Sequence, residues 1–270
     1  MDVYTLSAGT GPLVVSMPHS GLALSPDLES RLCDQARALP DTDWHIPQLY
    51  ECLDDLNASV IRANYSRYVV DLNRDPSGKS LYPGQATTGL VPTEFFDGAP
   101  LYLEGEGPDA AEIEARRRAY HAPYHQALLD RIDHVRAVHG YAVLWDAHSI
   151  ASVVPRLFEG RLPDLNLGTH SGQSCAPEIQ AAAEAAMANA TDYETVSNGR
   201  FKGGWITRHY GQPAHHVHAL QMEIAQIAYM AEGAPYTFHA DKANRLRPVL
   251  KSILKAALDA AARLYAGDPS

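Results

Sequence analysis

The sequence has little cysteine. Its 270 residues include three cysteines, Cys33, Cys52 and Cys175, which are far apart and form no CxxC pair. Disulfide frameworks need paired cysteines, and thiolate zinc sites need closely spaced ones. This odd, scattered set argues against both kinds of site, so we expect three free thiols in a reducing compartment.

Long apolar runs and basic clusters are also lacking. No run approaches the ~20 apolar residues that a membrane-spanning helix needs, and the N-terminus lacks the basic and apolar regions of a signal peptide. The formal net charge is −10, and no basic cluster is longer than Arg116-Arg117-Arg118, which offers little to a phosphate backbone. We expect a cytoplasmic protein that binds neither membranes nor nucleic acid.

The sequence does contain an alternation of strand and helix patterns. With 46% apolar residues the chain can bury a full-sized core, and its length is near the upper end for one domain. Strands are predicted at residues 13–16, 59–72, 141–149 and 215–224, and helices at 46–56, 109–139 (bent or split at Pro123), 176–190 and 241–265. This rhythm predicts a single domain over residues 1–270, an α/β fold with a mixed, mostly parallel sheet between helices.

Residues 77–108 are rich in glycine and proline. The segment is too long for an ordinary connection between two elements. Long ordered loops in compact domains usually cover functional sites. We therefore expect residues 77–108 to form part of a site.

Two histidines close apolar strand patterns in similar contexts. His19 follows the apolar residues of VVSMPHSG, and His148 follows those of VLWDAHS, each beside a serine. Because α/β sheets place chemistry at the carboxyl ends of their strands, the two histidines could converge at one edge of the sheet. The chain has thirteen histidines, and any one alone is more simply a structural residue. The matching contexts favour a shared site.

The segment DTDWH supplies Asp41 and Asp43 directly before a predicted helix. Helix capping explains one aspartate more naturally than two. A catalytic zinc ion takes three protein ligands from histidine and carboxylate side chains and keeps a fourth position for water. His19, His148 and one of the aspartates would fit such a site. A serine hydrolase is the alternative, but the sequence has no GxSxG motif.

Polar residues interrupt the strand pattern of NYSRYVVDLNRDP, which contains Arg67, Asp71, Asn73 and Arg74. Such groups are costly to bury unless they pair with each other or with a ligand. A solvated sheet edge is the alternative.

Two later segments also suggest binding or catalysis. NGRFKGGWITRHYG collects Arg200, Lys202 and Arg208 among glycines in an otherwise acidic chain, and local positive charge of this kind suggests an anionic small ligand. Glu223 lies in LQMEI near the end of an apolar strand pattern. It either faces outward or occupies a pocket with a raised pKa, as suits a general base.

Together these segments resemble a known family. The motifs PHSG, DTDW, SRYVVDLNRDP, DAHS, NLGTHSG, GRFKGGWITRHYG and LQMEI, in this order over almost the whole chain, resemble those of the N-formylglutamate amidohydrolases. That family is similar in turn to the zinc carboxypeptidases and aspartoacylase. The resemblance implies a zinc-carboxypeptidase-like fold and hydrolysis of N-formyl-L-glutamate to formate and L-glutamate.

The resemblance also implies a metal site. His19, His148 and Asp43 resemble the ligands of one zinc ion per chain, and another divalent metal would be compatible. Carboxypeptidases and aspartoacylase have a glutamate three residues after the first histidine, where this chain has Leu22. The carboxylate ligand must therefore come from elsewhere, from Asp43 or alternatively from Asp41.

Further roles follow from the same resemblance. Glu223 resembles the catalytic glutamate that accepts a proton from the attacking water. Arg67 resembles the arginine that steadies the oxyanion. Asn73 and Arg74 resemble the pair that grips a substrate carboxylate.

The implied substrate is a small molecule with two carboxylates, and arginine forks are well suited to carboxylates. We expect Arg74 and Arg208 to bind one each, with Lys202 or Arg200 as alternatives for the second. Two other functions remain open from the sequence. One is a related zinc amidase acting on another N-acyl amino acid, and the other is a non-catalytic module that binds a metal or a carboxylate.

Overall fold

Seven strands form one sheet in the computed structural model, which describes residues 1–79, 84 and 87–266. The strands are β1 Tyr4–Ser7, β2 Leu13–Met17, β3 Ser59–Ala63, β4 Ala142–Ile150, β5 Leu165–Gly168, β6 Thr195–Ser197 and β7 Val217–Ala225. Their order across the sheet is β1-β3-β2-β4-β7-β5-β6. The β1–β3 and β5–β7 pairs are antiparallel, and the other four pairs are parallel. The predicted α/β fold with a mixed, mostly parallel sheet is confirmed.

Helices cover both faces of this sheet. They are α1 Pro26–Arg31, α2 Asp34–Arg37, α3 Ile46–Leu49, α4 Ala110–Arg116, α5 Ala122–His139, α6 Pro177–Ala188, α7 Trp205–Tyr210 and α8 Ala240–Tyr265. Short 3₁₀ helices occur at Glu51–Leu56, Pro213–His215 and Gln226–Ala228, and a π-helical turn at Arg117–His121 joins α4 to α5. Within the described ranges, no helix has the length and apolar character needed to cross a membrane.

Alternate residues of the central strands pack on opposite faces, because side chains in a strand alternate in direction. In β4, Trp145 belongs to the apolar cluster that includes Ile179 of α6 and Leu250 of α8. The preceding residue, Leu144, belongs to the cluster that includes Leu128 of α5. The sheet therefore lies between α6 and α8 on one side and α5 on the other.

Most of the predicted elements are confirmed, with ends that differ by at most two residues. The pattern at residues 46–56 forms α3 and then a 3₁₀ helix. The helix predicted over residues 109–139, bent or split at Pro123, forms α4 and α5, which the π-helical turn joins. Asp109 caps its start by accepting from Glu112 N, and Pro123 lies in the first turn of α5, directly after the π-helical turn. The three cysteines are free thiols, as predicted.

The strand predicted over residues 59–72 is wrong beyond Ala63, where β3 ends. The chain then turns, with Val69 N donating to Ser66 O. Val69 and Val70, whose β-branched side chains suggested a strand, are instead buried in two different apolar clusters. Burial satisfied their apolar side chains without strand pairing, because β propensity depends strongly on tertiary context.

One buried histidine links three elements of the fold. His218 of β7 accepts a hydrogen bond at Nδ1 from the backbone N of Ala176, the N-cap residue of α6, at 3.1 Å. Its Nε2 lies 2.7 Å from the hydroxyl of Tyr265 at the end of α8. Burial, aided by nearby His216, lowers the pKa of His218 to about 4. The neutral ring is therefore the form that joins β7 to α6 and α8.

This pKa predicts a pH-dependent stability. As pH falls, the unfolded chain binds a proton at His218 near the ordinary pKa of ~6.5, whereas the folded chain binds it only near pH 4. The contribution of neutral His218 to the free energy of unfolding is therefore complete above pH ~6.5 and is lost as pH falls towards 4. His218→Asn keeps an oxygen acceptor but does not titrate. We expect the free energy of unfolding in urea to fall more steeply between pH 7 and pH 4.5 in the wild type than in His218→Asn. The exposed His134 on α5 supplies a control, since His134→Asn should follow the wild type; parallel curves for wild type and His218→Asn would contradict the prediction.

Candidate active site

The parallel strands β2 and β4 bring His19 and His148 together. His19 comes two residues after β2 ends at Met17, whereas His148 lies inside β4, two residues before Ile150. The expectation that both histidines follow a strand end therefore holds only for His19. Because the two strands are neighbours in the sheet, the ring centroids of the histidines lie 4.9 Å apart.

Asp43 completes a buried group with these two histidines. Its Oδ2 atom is 2.8 Å from Nδ1 of His148 and 3.7 Å from Nδ1 of His19. One ligand atom from each of the three residues lies within 4.8 Å of the others. Asp41, the alternative from the sequence, lies apart from this group, and its Oδ2 accepts a hydrogen bond from the hydroxyl of Tyr68.

Each histidine also contacts a second carboxylate through its Nε2 atom. Nε2 of His19 is 2.7 Å from Oδ1 of Asp71, and Nε2 of His148 is 3.0 Å from Oδ2 of Asp146. Both aspartates are fully buried. The sequence analysis gave neither a role at the site, although residues 146 and 148 stand two apart in a strand pattern and so share a face. That spacing is a signal that could have identified Asp146.

The donor set of this group fits a metal ion. Two imidazole nitrogens and one carboxylate oxygen are ligands that zinc favours. The other ring N–H of a metal-bound histidine typically donates a hydrogen bond to a group such as a carboxylate. Burial opposes ionisation of Asp43, but hydrogen bonds from His148 and His19 outweigh it and lower the pKa of that carboxyl. His19, Asp43 and His148 could therefore hold a metal as two neutral imidazoles and a carboxylate.

Arg67 lies beside this group and is itself buried. Its Nη2 donates to Oδ2 of Asp71 at 2.6 Å, and its Nη1 lies 4.0 Å from Oδ1 of Asp43. The guanidinium also stacks over the ring of Phe96, 4.6 Å from the centroid. A salt bridge and an aromatic face thus fix the position of this charge.

Asn73 and Arg74 follow in the same loop. Asn73 Nδ2 donates to Oδ2 of Asp146 at 3.0 Å and lies 2.8 Å from Nε2 of His148, while its Oδ1 accepts from the backbone N of Ile206. These contacts favour a positioning role for the Asn73 amide over the predicted grip on a substrate carboxylate. Arg74 donates from Nε and Nη2 to the backbone and hydroxyl oxygens of Thr88.

Glu223 faces the same space from β7. The register of β4 and β7 places it opposite His148, and 7% of the residue is exposed. Burial, with a smaller contribution from Asp43 and against the opposing effect of His148, raises the pKa of Glu223 to about 8. Gln221, two residues earlier on the same face, donates from Nε2 towards Glu223 at 3.4 Å and accepts from Gly204 N.

These groups open onto a cavity of about 190 Å³, here called the reaction cavity. The segment 77–108 contributes to it, as predicted, through Gly78, Lys79, residues 87–90 and Phe96; residues 80–83, 85 and 86 lie outside the described part of the chain. The titratable residues among its described lining are His19, Asp43, Arg67, Arg74, Asp75, Lys79, His148, Arg200 and Glu223. Cationic side chains are therefore concentrated here, although the whole chain is acidic.

The reaction cavity includes Arg200 but neither Lys202 nor Arg208 among its described lining residues. Arg208, on α7, donates from Nε to the backbone oxygen of Gly203 at 2.8 Å. Lys202 is exposed. The expectation that Arg208 or Lys202 binds the second substrate carboxylate is thus not what the geometry favours, and Arg200 is better placed.

Comparisons with known proteins place the chain in a family. Residues 11–230 match the family model for N-formylglutamate amidohydrolase. N-formylglutamate deformylase from Pseudomonas aeruginosa is 52% identical over 95% of this chain and 96% of its own length. The protein of the same name from Pseudomonas putida is 51% identical over 97% of this chain and 98% of its own.

Two solved structures share the fold. The N-formylglutamate amidohydrolase from Ralstonia eutropha JMP134 has a TM-score of 0.79 at 23% identity, over 99% of this chain and 100% of that one. A gene product from Agrobacterium tumefaciens has a TM-score of 0.70 at 18% identity, over 95% and 96% of the two chains. With the match of the family model and the two Pseudomonas relatives, these observations show that the chain belongs to the N-formylglutamate amidohydrolase family.

Proposed function

We propose that this protein hydrolyses N-formyl-L-glutamate to formate and L-glutamate. The observation that carries the proposal is the buried group of His19, Asp43 and His148 beside Glu223, at a cavity lined by arginines. The names of the two Pseudomonas relatives support the same substrate. In the reaction, the oxygen of a water molecule bonds to the formyl carbon, the C–N bond breaks, and a proton passes to the leaving nitrogen.

We assign one zinc ion per chain to His19, Asp43 and His148. Zinc favours histidine and carboxylate ligands and keeps an open position in catalytic sites. Held there, it would lower the pKa of a water molecule and polarise the formyl carbonyl. The two histidines would offer Nδ1, because their Nε2 atoms face Asp71 and Asp146.

Glu223 is the proposed general base. A carboxylate with a raised pKa accepts a proton more readily than an ordinary one, and a general base works best when its pKa is near the operating pH. Burial supplies that rise, and a cation held nearby would bring the pKa back towards neutrality. Glu223 would take a proton from the attacking water and deliver it to the leaving amine.

Arg67 and two further arginines are assigned to the substrate. The guanidinium of Arg67, fixed by Asp71, would donate to the oxygen on which negative charge develops during attack. Arg74 and Arg200 line the cavity and would each bind one of the two carboxylates of formylglutamate, since guanidinium and carboxylate groups match in shape.

The metal assignment predicts the effect of removing its ligands. We expect His19→Ala and His148→Ala to retain well below one zinc ion per chain, as measured by elemental analysis of the purified protein, because each change removes one of three ligands. Exhaustive chelation of the wild type should abolish formate release, and added zinc should restore it. The exposed His134 provides the control, since His134→Ala should keep the full metal content. Full activity after complete removal of metal would refute the assignment.

The role of Glu223 predicts a selective loss of turnover. Glu223→Gln keeps the size and hydrogen-bonding capacity of the side chain but cannot act as a base, so kcat for formate release should fall by about 10²-fold to 10⁴-fold. The zinc content should be unchanged. Glu178→Gln, at an exposed position on α6, should leave both quantities at the wild-type level. Near-normal turnover by Glu223→Gln would mean that another group is the base.

The assignment of the carboxylates can be tested with substrates that each lack one charge. The two monoamides of formylglutamate, N-formyl-L-glutamine and N-formyl-L-isoglutamine, replace one carboxylate at a time. A lost charge-assisted contact costs roughly 1.5–3 kcal/mol. We therefore expect Arg200→Ala to lower kcat/KM by about tenfold or more on formylglutamate and on one monoamide, and to have little effect on the other.

Arg74→Ala should show the reverse preference between the two monoamides. Arg208→Ala, the change suggested by the sequence, should affect all three substrates equally. A selective loss in Arg208→Ala together with a uniform loss in Arg200→Ala would return the second carboxylate to Arg208.

A further inference from the structure

A second cavity, of about 230 Å³, adjoins the reaction cavity. Phe96, Ser149 and Ile150 line both spaces and so form the wall between them. Beyond this wall the lining is largely apolar, with contributions from Ala151, Val153, Val154, Pro155 and Tyr236. The volume is several times the ~30 Å³ that one water molecule occupies in the liquid, so it could hold a short alkyl chain.

The acidic residues of the second cavity are already engaged by the protein. Asp41 accepts hydrogen bonds from the hydroxyl of Tyr68 and the backbone N of Phe96. Glu232 accepts from the backbone N and hydroxyl of Ser152, and Asp97 accepts from the backbone N of Ala99. Because these carboxylates serve local hydrogen bonds, the apolar side chains decide what the space would accept.

Phe96 is in contact with a residue assigned to the proposed chemistry. Its ring stacks against Arg67 at 4.6 Å, and Arg67 is the group assigned to the carbonyl oxygen of the substrate. The formyl carbon, bonded to that oxygen, must then lie close to the same ring. Ser149 is held by the hydroxyl of Tyr229 at 2.7 Å, and Ile150 is fixed in β4.

We propose that Phe96 determines the length of the acyl group that this enzyme accepts. Its ring closes the reaction cavity on the side of the formyl carbon, where formyl presents a hydrogen and every longer acyl group presents a carbon chain. Removing the ring would join the two cavities, and an alkyl chain could then extend into the second one. This inference rests on the proposed function.

The chemistry of a longer substrate is unchanged. The water oxygen bonds to the acyl carbon, the same C–N bond breaks, and a proton passes to the nitrogen of glutamate. The products are a carboxylic acid and L-glutamate, and no further reactant is needed. Only the space around the acyl carbon differs between the substrates.

The test measures kcat/KM for N-formyl-, N-acetyl- and N-butyryl-L-glutamate by glutamate release in the wild type and in Phe96→Ala. Truncation also removes the stacking on Arg67, so activity on the formyl substrate should fall. That loss is common to all three substrates and cancels in their ratios. We expect the acetyl-to-formyl ratio to rise about tenfold or more, within the 10-fold to 200-fold that one carbon is worth in an apolar pocket. The butyryl-to-formyl ratio should rise further.

Leu157→Ala is the matched control. Leu157 packs in the same small apolar cluster as Phe96 and lines the reaction cavity but not the second one, so this change should leave both ratios unchanged. Phe96→Leu, which removes less volume, should give a smaller rise and covers the case in which Phe96→Ala does not fold. Unchanged ratios in a folded Phe96 variant, or an equal rise in Leu157→Ala, would overturn this inference but not the proposed function. Failure of the wild type to act on formylglutamate would instead overturn the proposed function, and this inference with it.

Discussion

Much of the site depends on one buried carboxylate, that of Asp71. Its Oδ1 lies 2.7 Å from Nε2 of His19 and accepts from the backbone N of Asn73, while its Oδ2 accepts from Arg67 at 2.6 Å and lies 3.7 Å from Nη2 of Arg74. Breaking a buried ion pair by removing one partner typically costs ~3–5 kcal/mol, because the other charge stays buried without compensation. Asp71 thus fixes the ring of a proposed metal ligand, the guanidinium of Arg67 and the path of the loop that carries Arg67 and Arg74.

The register of the parallel strands β4 and β7 positions the other side chains of the site. His148 pairs with Glu223, and Asp146 pairs with Gln221, across the β4–β7 ladder. Residues two apart in a strand share a face, so all four side chains lie on one side of the sheet. Nearer the start of β4, the same side carries Leu144, which belongs to the apolar cluster that includes Leu128 of α5. Along β4, the same strand face therefore changes from apolar core to the polar surface of the candidate site.

The sequence predicted the fold class and the candidate residues on the strands. It did not predict how side chains in the turns and loops are oriented. A pattern within a strand fixes which side chains share a face, and the spacing of residues 146 and 148 would have revealed Asp146 as well. The choice between Asp41 and Asp43 depends on how a turn packs against Tyr68, which no local pattern encodes. Arg200 and Arg208 lie on either side of a close approach at Gly204, where a Cβ would stand 2.3 Å from Asn73 Nδ2. The basic residues of this segment indicated an anion site in the sequence, but no local pattern showed that the close packing of Gly204 would separate Arg200 from Arg208.

The balance of charge in the cavity explains how a carboxyl group with a raised pKa can lie close to several cations. A positive charge near Glu223 favours its ionised form and lowers its pKa, and Arg67 acts in that direction. The effect is smaller than that of burial, and the salt bridge with Asp71 compensates the guanidinium. Glu223 therefore keeps a raised pKa, while Arg74 and Arg200, the residues proposed to bind the substrate carboxylates, line the same cavity. Asp71 pairs with Arg67 and lies 3.7 Å from Arg74, so under the proposed function one small cavity binds a dianion and still contains a carboxylate basic enough to accept a proton.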